Sequence, residues 1–253
     1  MSVQLVPIKI NDEISKKYFA VTDFEKTDEP YSIVTDRYQL VPHETVIESI
    51  DKAISLIDST LEYNTEDLNT KSAYVKNGAR LYRRYTFPSI ELEVTEGDII
   101  RCGIVCRNSY DKSCQFFVEL KSSRLACWND LPQGYTFSGL SGKHTKGLDI
   151  NSDSLAENIS SAINTFKDNG DIWRQWHKKK VSTSLIPKII DTIFESQKHK
   201  DAAVELHNLL QRKETSLWVI FNLLTRITTH EMSYDLACRF DSIILNTIKQ
   251  LNK

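Results

Sequence analysis

The sequence lacks the motifs that mark many enzymes, metal sites and secreted proteins. Its five cysteines are odd in number and form no CxxC pair, which argues against a disulfide framework and a zinc knuckle. No apolar run approaches the roughly 18 residues that a membrane helix needs, and the N-terminus lacks the features of a secretory signal. No catalytic motif is evident, so we expect a cytoplasmic, non-enzymatic protein without cofactor, metal or membrane contact.

Charge is balanced over the whole chain but not along it. The formal net charge of the 253 residues is −2, whereas residues 1–70 carry −8, residues 71–147 carry +5 and residues 148–253 carry +1. A basic middle segment favours an anionic partner, because a local patch attracts phosphate more than the net charge does. The alternative is an ordinary solvated strand surface.

The first 60 residues predict strands followed by one helix. Residues 1–30 are polar and acidic around short apolar pieces, and they are interpreted as a short strand or arm. The next eleven residues are rich in β-formers and predict a strand pair around Thr35 and Asp36. After Pro42, apolar residues recur every three or four positions as far as Leu61, which predicts a helix with one buried stripe.

Turn signals organise the middle of the chain. Asn77-Gly78 separates two β-like runs and is the strongest hairpin signal in the sequence, because both residues tolerate positive φ. Glu96, Gly97 and Asp98 form a second predicted turn. These patterns predict an α+β fold in which an antiparallel β-sheet with a packed helix occupies residues 1–148.

Helical spacing dominates from about residue 149 to residue 253. Apolar residues between 155 and 166 mark a helix that Asn169-Gly170 can end. Trp173 and Trp176 are three residues apart, so a helix places them on one side. Packing of the two rings into the core is favoured over contact with a nucleic acid or an acidic partner. We therefore expect a helical C-terminal region packed on the sheet domain.

One face of the predicted sheet is basic and aromatic. Side chains alternate between the two faces of a strand, which places Arg80, Tyr82 and Arg84 together and sets Cys102 and Cys106 on a core face. Arginine beside tyrosine suits single-stranded nucleic acid, because guanidinium groups meet phosphates while aromatic rings stack on bases. The alternative is that these side chains cover a sheet edge.

Two loops extend this predicted face. The hairpin tip around Asp111 is basic and aromatic, and the glycine-rich loop 138–147 carries lysines but lacks the spacing of a P-loop. The tyrosines and the tryptophan are expected to stack on bases, while most of the cations contact phosphate. The predicted nucleic-acid-binding residues are Arg80, Tyr82, Arg84, Arg101, Arg107, Asn108, Tyr110, Lys112, Lys121, Arg124, Trp128, Lys143 and Lys146.

Several motifs resemble DUF932, a phage- and plasmid-encoded family of unknown function. The resemblance spans roughly residues 30–235 and lies in YSIVTDRYQLVPHE, CRNSYDKSCQF, SSRLACWNDL, KHTKG and LWVIFNLLTRITTHE. The family usually has histidine and glycine where this chain has Tyr110 and Lys112, which argues against a histidine-dependent enzyme more than against binding. The expected fold is also similar to the Rad52 and Red-beta type of single-strand annealing proteins.

We therefore expect a single-stranded DNA-binding protein of a phage or mobile element that promotes strand annealing in recombination. Annealing implies a homo-oligomer, as a ring or filament, in the cytoplasm of the host cell. One alternative is a protein-interaction module, such as an inhibitor of a host defence system, whose acidic first 70 residues mimic nucleic acid. Another is a metal-dependent nuclease that uses Asp36, Asp98 and Asp111.

Overall fold

The structure, a computed structural model, describes residues 3–25, 28–58, 67–124, 129–132, 140–208 and 214–252. Its strands are β1 Val3–Ile10, β2 Glu13–Asp23, β3 Ser32–Thr35, β4 Asn69–Val75, β5 Arg80–Glu93, β6 Ile99–Ser109, β7 Phe116–Arg124, β8 Asn129–Pro132, β9 Leu140–Gly142, β10 Lys180–Ser182 and β11 Glu214–Ser216. Its α-helices are α1 His43–Asp58, α2 Ser152–Lys178, α3 Ile186–Ile193, α4 Gln197–Asn208, α5 Leu217–Glu231 and α6 Tyr234–Asn252. The antiparallel strands and the C-terminal helices confirm the predicted α+β class.

The strands form three sheets. One has the order β1-β2-β3, the largest has the order β4-β5-β6-β7-β8 with β9 also paired to β7, and the third is the pair β10-β11. The pairings β1-β2, β2-β3, β4-β5, β7-β8 and β7-β9 are all antiparallel. Edge strands are therefore present, and β4 lies at one end of the largest sheet.

The chain divides into two compact units, and each unit combines three separate stretches of sequence. Unit 1 contains residues 1–86, 104–119 and 138–162, and unit 2 contains residues 87–103, 120–137 and 163–253. The strands β5, β6 and β7 each contribute residues to both units, so the units do not follow the boundary at residue 148. A sheet domain over 1–148 with a separate helical region over 149–253 stays a prediction.

Unit 1 confirms the helix after Pro42 and the Asn77-Gly78 hairpin. Helix α1 buries the apolar stripe that includes Ile50 and Ile54. The turn between β4 and β5 has positive φ at Lys76, Asn77 and Gly78, as the hairpin signal requires. The predicted strand pair around Thr35 is wrong, because only β3 forms there and pairs with β2.

Unit 2 corrects the predicted helix end at Asn169-Gly170, because α2 continues to Lys178. A Cβ at Gly170 would lie 2.9 Å from Leu92 Cδ1, so glycine allows close packing here rather than ending the helix. Trp173 and Trp176 are both 2% exposed, which confirms their packing into the core. Over the part of the chain that the structure describes, no helix is long and apolar enough to cross a membrane.

Candidate nucleic-acid interface

The predicted hairpin tip does not present Tyr110 or Asn108 to solvent. Both residues are 0% exposed. The Tyr110 hydroxyl accepts a hydrogen bond of 2.7 Å from the His43 backbone N–H, and its ring stacks on the His43 imidazole with centroids 3.9 Å apart. The exposure expected for these two residues is therefore wrong, because the chain around Pro42 covers the end of β6. Neither side chain can contact a base in this arrangement.

His43 completes this buried cluster of unit 1. The Asn108 side-chain amide lies 2.9 Å from the Val41 carbonyl and 2.9 Å from His43 Nδ1, while His43 Nε2 lies 3.1 Å from the Gly78 carbonyl. These partners fit a neutral imidazole that accepts at Nδ1 and donates from Nε2. Burial lowers the pKa of His43 to about 4, so the cluster is neutral and structural at neutral pH.

Lys121 and Arg124 belong to ion pairs inside unit 2. Lys121 is 4% exposed, and its Nζ lies 3.1 Å from the Asp241 carboxylate of α6. The Arg124 guanidinium binds both carboxylate oxygens of Asp98, with Nη2 to Oδ2 at 2.9 Å. Trp218 of α5 also donates to Asp98, at 2.8 Å. Alternation along β7 predicted that Lys121 lies on the face opposite the core. Lys121 is nevertheless buried there, where it pairs with Asp241 of α6.

The other predicted arginines are half-buried and engaged with protein groups. Arg80 Nε pairs with Asp111 at 2.7 Å, and Arg101 Nε lies 3.4 Å from Glu91. The Arg107 guanidinium lies 4.7 Å from the centroid of the Phe117 ring. Arginine and tyrosine do share one face of β5, but its cations are not a row of unpaired charges. The residues of this face are Arg80, Tyr82 and Arg84.

The carboxylates of the nuclease alternative are divided between the two units. Asp98 belongs to unit 2, where Arg124 neutralises it, while Asp111 belongs to unit 1, where it pairs with Arg80. Burial opposes ionisation of Asp111, but hydrogen bonds from Ser113 and Arg80 leave the pKa of Asp111 lowered. Within the described ranges, no group of three or more histidine, cysteine or acidic side chains could hold a metal ion.

Exposed cations converge instead on a groove beside the three-stranded sheet of unit 1. The groove has a volume of about 560 Å³ and is lined by Lys16, Lys17, Thr35, Asp36 and Arg37. The backbone of Asp36 donates to the Lys17 carbonyl at 2.9 Å, which fixes the two sides of the groove against each other. Three cations therefore face one carboxylate.

The loop that carries Lys143 and Lys146 is attached to the same region. Lys146 N–H donates to the Arg37 carbonyl at 3.1 Å, and Gln39 N–H donates to the His144 carbonyl at 3.1 Å. The His144 ring is stacked on Tyr38 with centroids 5.4 Å apart, and burial lowers its pKa. We name the surface that the groove and this loop form the basic groove, and its cations are Lys16, Lys17, Arg37, Lys143 and Lys146.

The basic groove differs from the predicted sheet face in that its cations are exposed and outnumber the one carboxylate, Asp36, that lines the groove. All five cations are exposed, and none of them forms an ion pair with a residue that the structure describes. Tyr18 is 36% exposed next to the groove residue Lys17, whose Nζ lies 5.5 Å from the centroid of the Tyr18 ring. The site therefore combines cations with an accessible aromatic ring.

Of the five cations of the basic groove, only Lys143 and Lys146 are among the residues predicted from the sequence. Residues Lys16, Lys17 and Tyr18 form a short basic and aromatic run, but the acidic total of residues 1–70 obscured it. Of the remaining predicted residues, Lys112 is exposed and donates to the Ile33 carbonyl at 2.9 Å. Trp128 lies outside the described residues.

Comparison with known proteins identifies a family rather than an activity. The model of a family described as a domain of unknown function, DUF932, matches residues 30–240. A search of curated proteins and a search of solved structures found no match. The similarity to single-strand annealing proteins stays a prediction.

Proposed function

This chain belongs to the DUF932 family, and we propose that it binds single-stranded DNA through the basic groove. The observation that carries the proposal is the convergence of three exposed cations on one groove, next to a loop with two further exposed lysines and beside the exposed ring of Tyr18. None of these cations forms an ion pair with a described residue. Such a surface attracts a polyanion, since each phosphate that is neutralised releases condensed counterions.

Tyr18 is the reason to expect a single strand rather than a duplex. A single strand leaves base faces accessible, and stacking on an aromatic side chain contributes roughly 1–3 kcal/mol per base without sequence readout. Tyr18 pairs with Thr35 across β2 and β3, and Thr35 lines the groove. A strand whose phosphates follow the cations would therefore have a base within reach of this ring.

Annealing within a phage or mobile element is the biological role that we propose for this binding. The role requires that complementary strands meet while bound, so an oligomer of the protein is expected. A protein-interaction module remains the rival, and it predicts no affinity for DNA.

Fluorescence anisotropy with labelled single-stranded and duplex oligonucleotides over a salt series tests the binding proposal. We expect tighter binding to the single strand, and a logarithm of affinity that falls with the logarithm of salt concentration by about 0.7 per neutralised phosphate. Equal affinity for duplex, or no binding at low salt, would contradict the proposal. The second result would favour the interaction module.

Two variants locate the site. Lys17→Ala combined with Arg37→Ala should weaken binding and make the salt slope shallower by about 1.4, because two phosphate contacts are lost. The matched control is Lys52→Ala combined with Lys188→Ala, which removes two exposed lysines from α1 and α3 and should change neither quantity. Tyr18→Ala should reduce affinity by about 1–3 kcal/mol with the slope unchanged. Wild-type binding by the groove variant would exclude the basic groove.

A further inference from the structure

Strand β4 is an exposed edge of the largest sheet. All seven residues from Asn69 to Val75 are exposed, and among the described strands β4 pairs only with β5. An edge strand presents unpaired backbone N–H and C=O groups, which form a template for another strand. Native proteins protect such edges with charges, proline, bulges or a covering element.

The edge has few of these protections. Its sequence, NTKSAYV, contains one charged residue, Lys71, and no proline. Its pairing with β5 proceeds without a register shift from Asn69 opposite Thr86 to Val75 opposite Arg80, so no bulge turns the strand away. Tyr74 is 49% exposed and Val75 is 40% exposed. An edge of this composition is suited to pairing with a further strand.

We propose that β4 pairs antiparallel with β4 of a second copy of this chain, about a two-fold axis at Ser72. This register sets Tyr74 opposite Thr70 of the partner subunit, and it sets Lys71 opposite the partner subunit's Ala73. An aromatic residue opposite a β-branched one is a favourable cross-strand pair, and no two like charges are directly opposite. The strand is therefore complementary to itself, which favours a second copy over an unrelated peptide.

The pairing has a consequence for the face of β5 that carries Arg80, Tyr82 and Arg84. The register of β4 with β5 sets Lys71 opposite Arg84 and Ala73 opposite Tyr82, and side chains directly opposite share a face. A two-fold pairing through β4 would place this face of both copies on one continuous sheet. Pairing two strands of seven residues buries less than a standard interface of about 1,600 Å², so the dimer should depend on protein concentration.

Sedimentation velocity on protein freed of nucleic acid tests this proposal independently of DNA binding. We expect a dilution series of the wild type to approach twice the chain mass of 29.1 kDa at high concentration. A strictly monomeric protein would overturn the proposal, because two-fold pairing of β4 forms a dimer.

Charge variants test the register. Ala73→Lys should weaken the dimer about two- to thirty-fold, since two symmetry-related positions then oppose lysine with lysine. Adding Lys71→Glu should restore the wild-type dissociation constant or improve it, while Lys71→Glu alone should have little effect. Failure of this rescue, or a dimer insensitive to Ala73→Lys, would overturn the pairing.

A variant that adds no charge, Tyr74→Ala, is a second test of the β4 contact. Tyr74→Ala removes the ring from both Tyr–Thr pairs and should also weaken the dimer about two- to thirty-fold. Ala73 and Tyr74 are exposed, so far-ultraviolet circular dichroism should show the wild-type fold in each variant. An unchanged dissociation constant for Tyr74→Ala would exclude β4 as the contact.

Discussion

The two compact units bury polar groups in different ways. In unit 1 the buried cluster of His43, Asn108 and Tyr110 is neutral and is held by hydrogen bonds of 2.7 to 3.1 Å. Unit 2 also contains buried ions, with Lys121 paired to Asp241 and Asp98 paired to the half-buried Arg124. The polar groups of the unit 1 cluster are thus compensated by hydrogen bonds between neutral groups. The buried ions of unit 2 are compensated by an opposite charge.

The difference shows why a cation in the sequence does not by itself indicate an exposed charge on the surface. A buried ion costs several kcal/mol of desolvation unless its partner compensates. The buried Lys121 and the buried Asp98 are accordingly each paired with an opposite charge within the protein. The cations of the basic groove are exposed instead, and none of them forms an ion pair with a described residue. Stability should therefore respond to the ion pairs of unit 2, and DNA affinity to the groove.

The largest expected effect is the loss of stability when Lys121 is removed. Lys121→Ala removes the cation whose Nζ lies 3.1 Å from the Asp241 carboxylate. Breaking a buried ion pair in this way should lower the free energy of unfolding by about 3–5 kcal/mol. Urea denaturation followed by circular dichroism measures this change. The matched control is Lys121→Met combined with Asp241→Leu, which removes both charges and should be near neutral. If the single and double variants lost the same stability, the loss would reflect packing and not an unpaired charge.

The hydrogen bond from Trp218 to Asp98 should contribute less. Trp218→Phe keeps an aromatic ring but removes a donor to a charged acceptor at 2.8 Å, so it should cost about 1.5–3 kcal/mol of unfolding free energy. Trp176→Phe is the control, because Trp176 is equally buried and its indole N–H has no hydrogen-bond partner in the described part of the chain. Equal losses in the two variants would assign the cost to ring volume.

The neutral cluster of unit 1 should make stability depend on pH. The pKa of His43 is about 4 in the folded protein, against an ordinary value of 6.5. The unfolded chain therefore binds the proton first, and stability is lost as the pH falls from about 6.5 through 4. Between pH 7 and pH 5 the loss should be about 2 kcal/mol. Urea titrations of the wild type and of His43→Gln measure it, and an equally steep pH dependence in the variant would show that His43 is not the group.

The smallest expected effect is on the stability of the groove variant. Lys17→Ala combined with Arg37→Ala should change the free energy of unfolding by no more than about 0.5 kcal/mol, because both side chains are exposed. The same urea assay compares this variant directly with Lys121→Ala. A loss above about 2 kcal/mol would mean that the groove cations stabilise the fold, and their effect on DNA affinity would then require another explanation.

Local patterns predicted the elements better than the site. The hairpin at Asn77-Gly78 and the helix after Pro42 follow from turn chemistry and from apolar spacing, both of which are short-range properties. Alternation along β6 also identified the core cysteines, since Cys102 and Cys106 are 0% exposed. The opposite face of β6 was expected to be open, yet Val105 is 3% exposed. Strand parity separates two faces but does not reveal whether a second layer covers both.

The candidate site is formed by contacts between distant parts of the chain, so local sequence patterns did not predict it. The groove residues Lys16 and Arg37 meet because β2 pairs with β3, and the loop at Lys146 joins them through a backbone hydrogen bond to Arg37. No periodicity links these segments in the sequence. Burial of Tyr110 likewise depends on His43, which is 67 residues away along the chain.

The backbone attachment of the loop at residues 143–147 has a thermodynamic consequence. Fixing the backbone of one residue costs about 1–2 kcal/mol in conformational entropy, so ordering five residues on ligand binding would cost about 5–10 kcal/mol. Hydrogen bonds to Arg37 and from Gln39 hold this loop in the protein itself. A ligand that contacts Lys143 and Lys146 therefore orders side chains but little backbone. The unfavourable contribution of backbone ordering to its binding entropy should therefore be small.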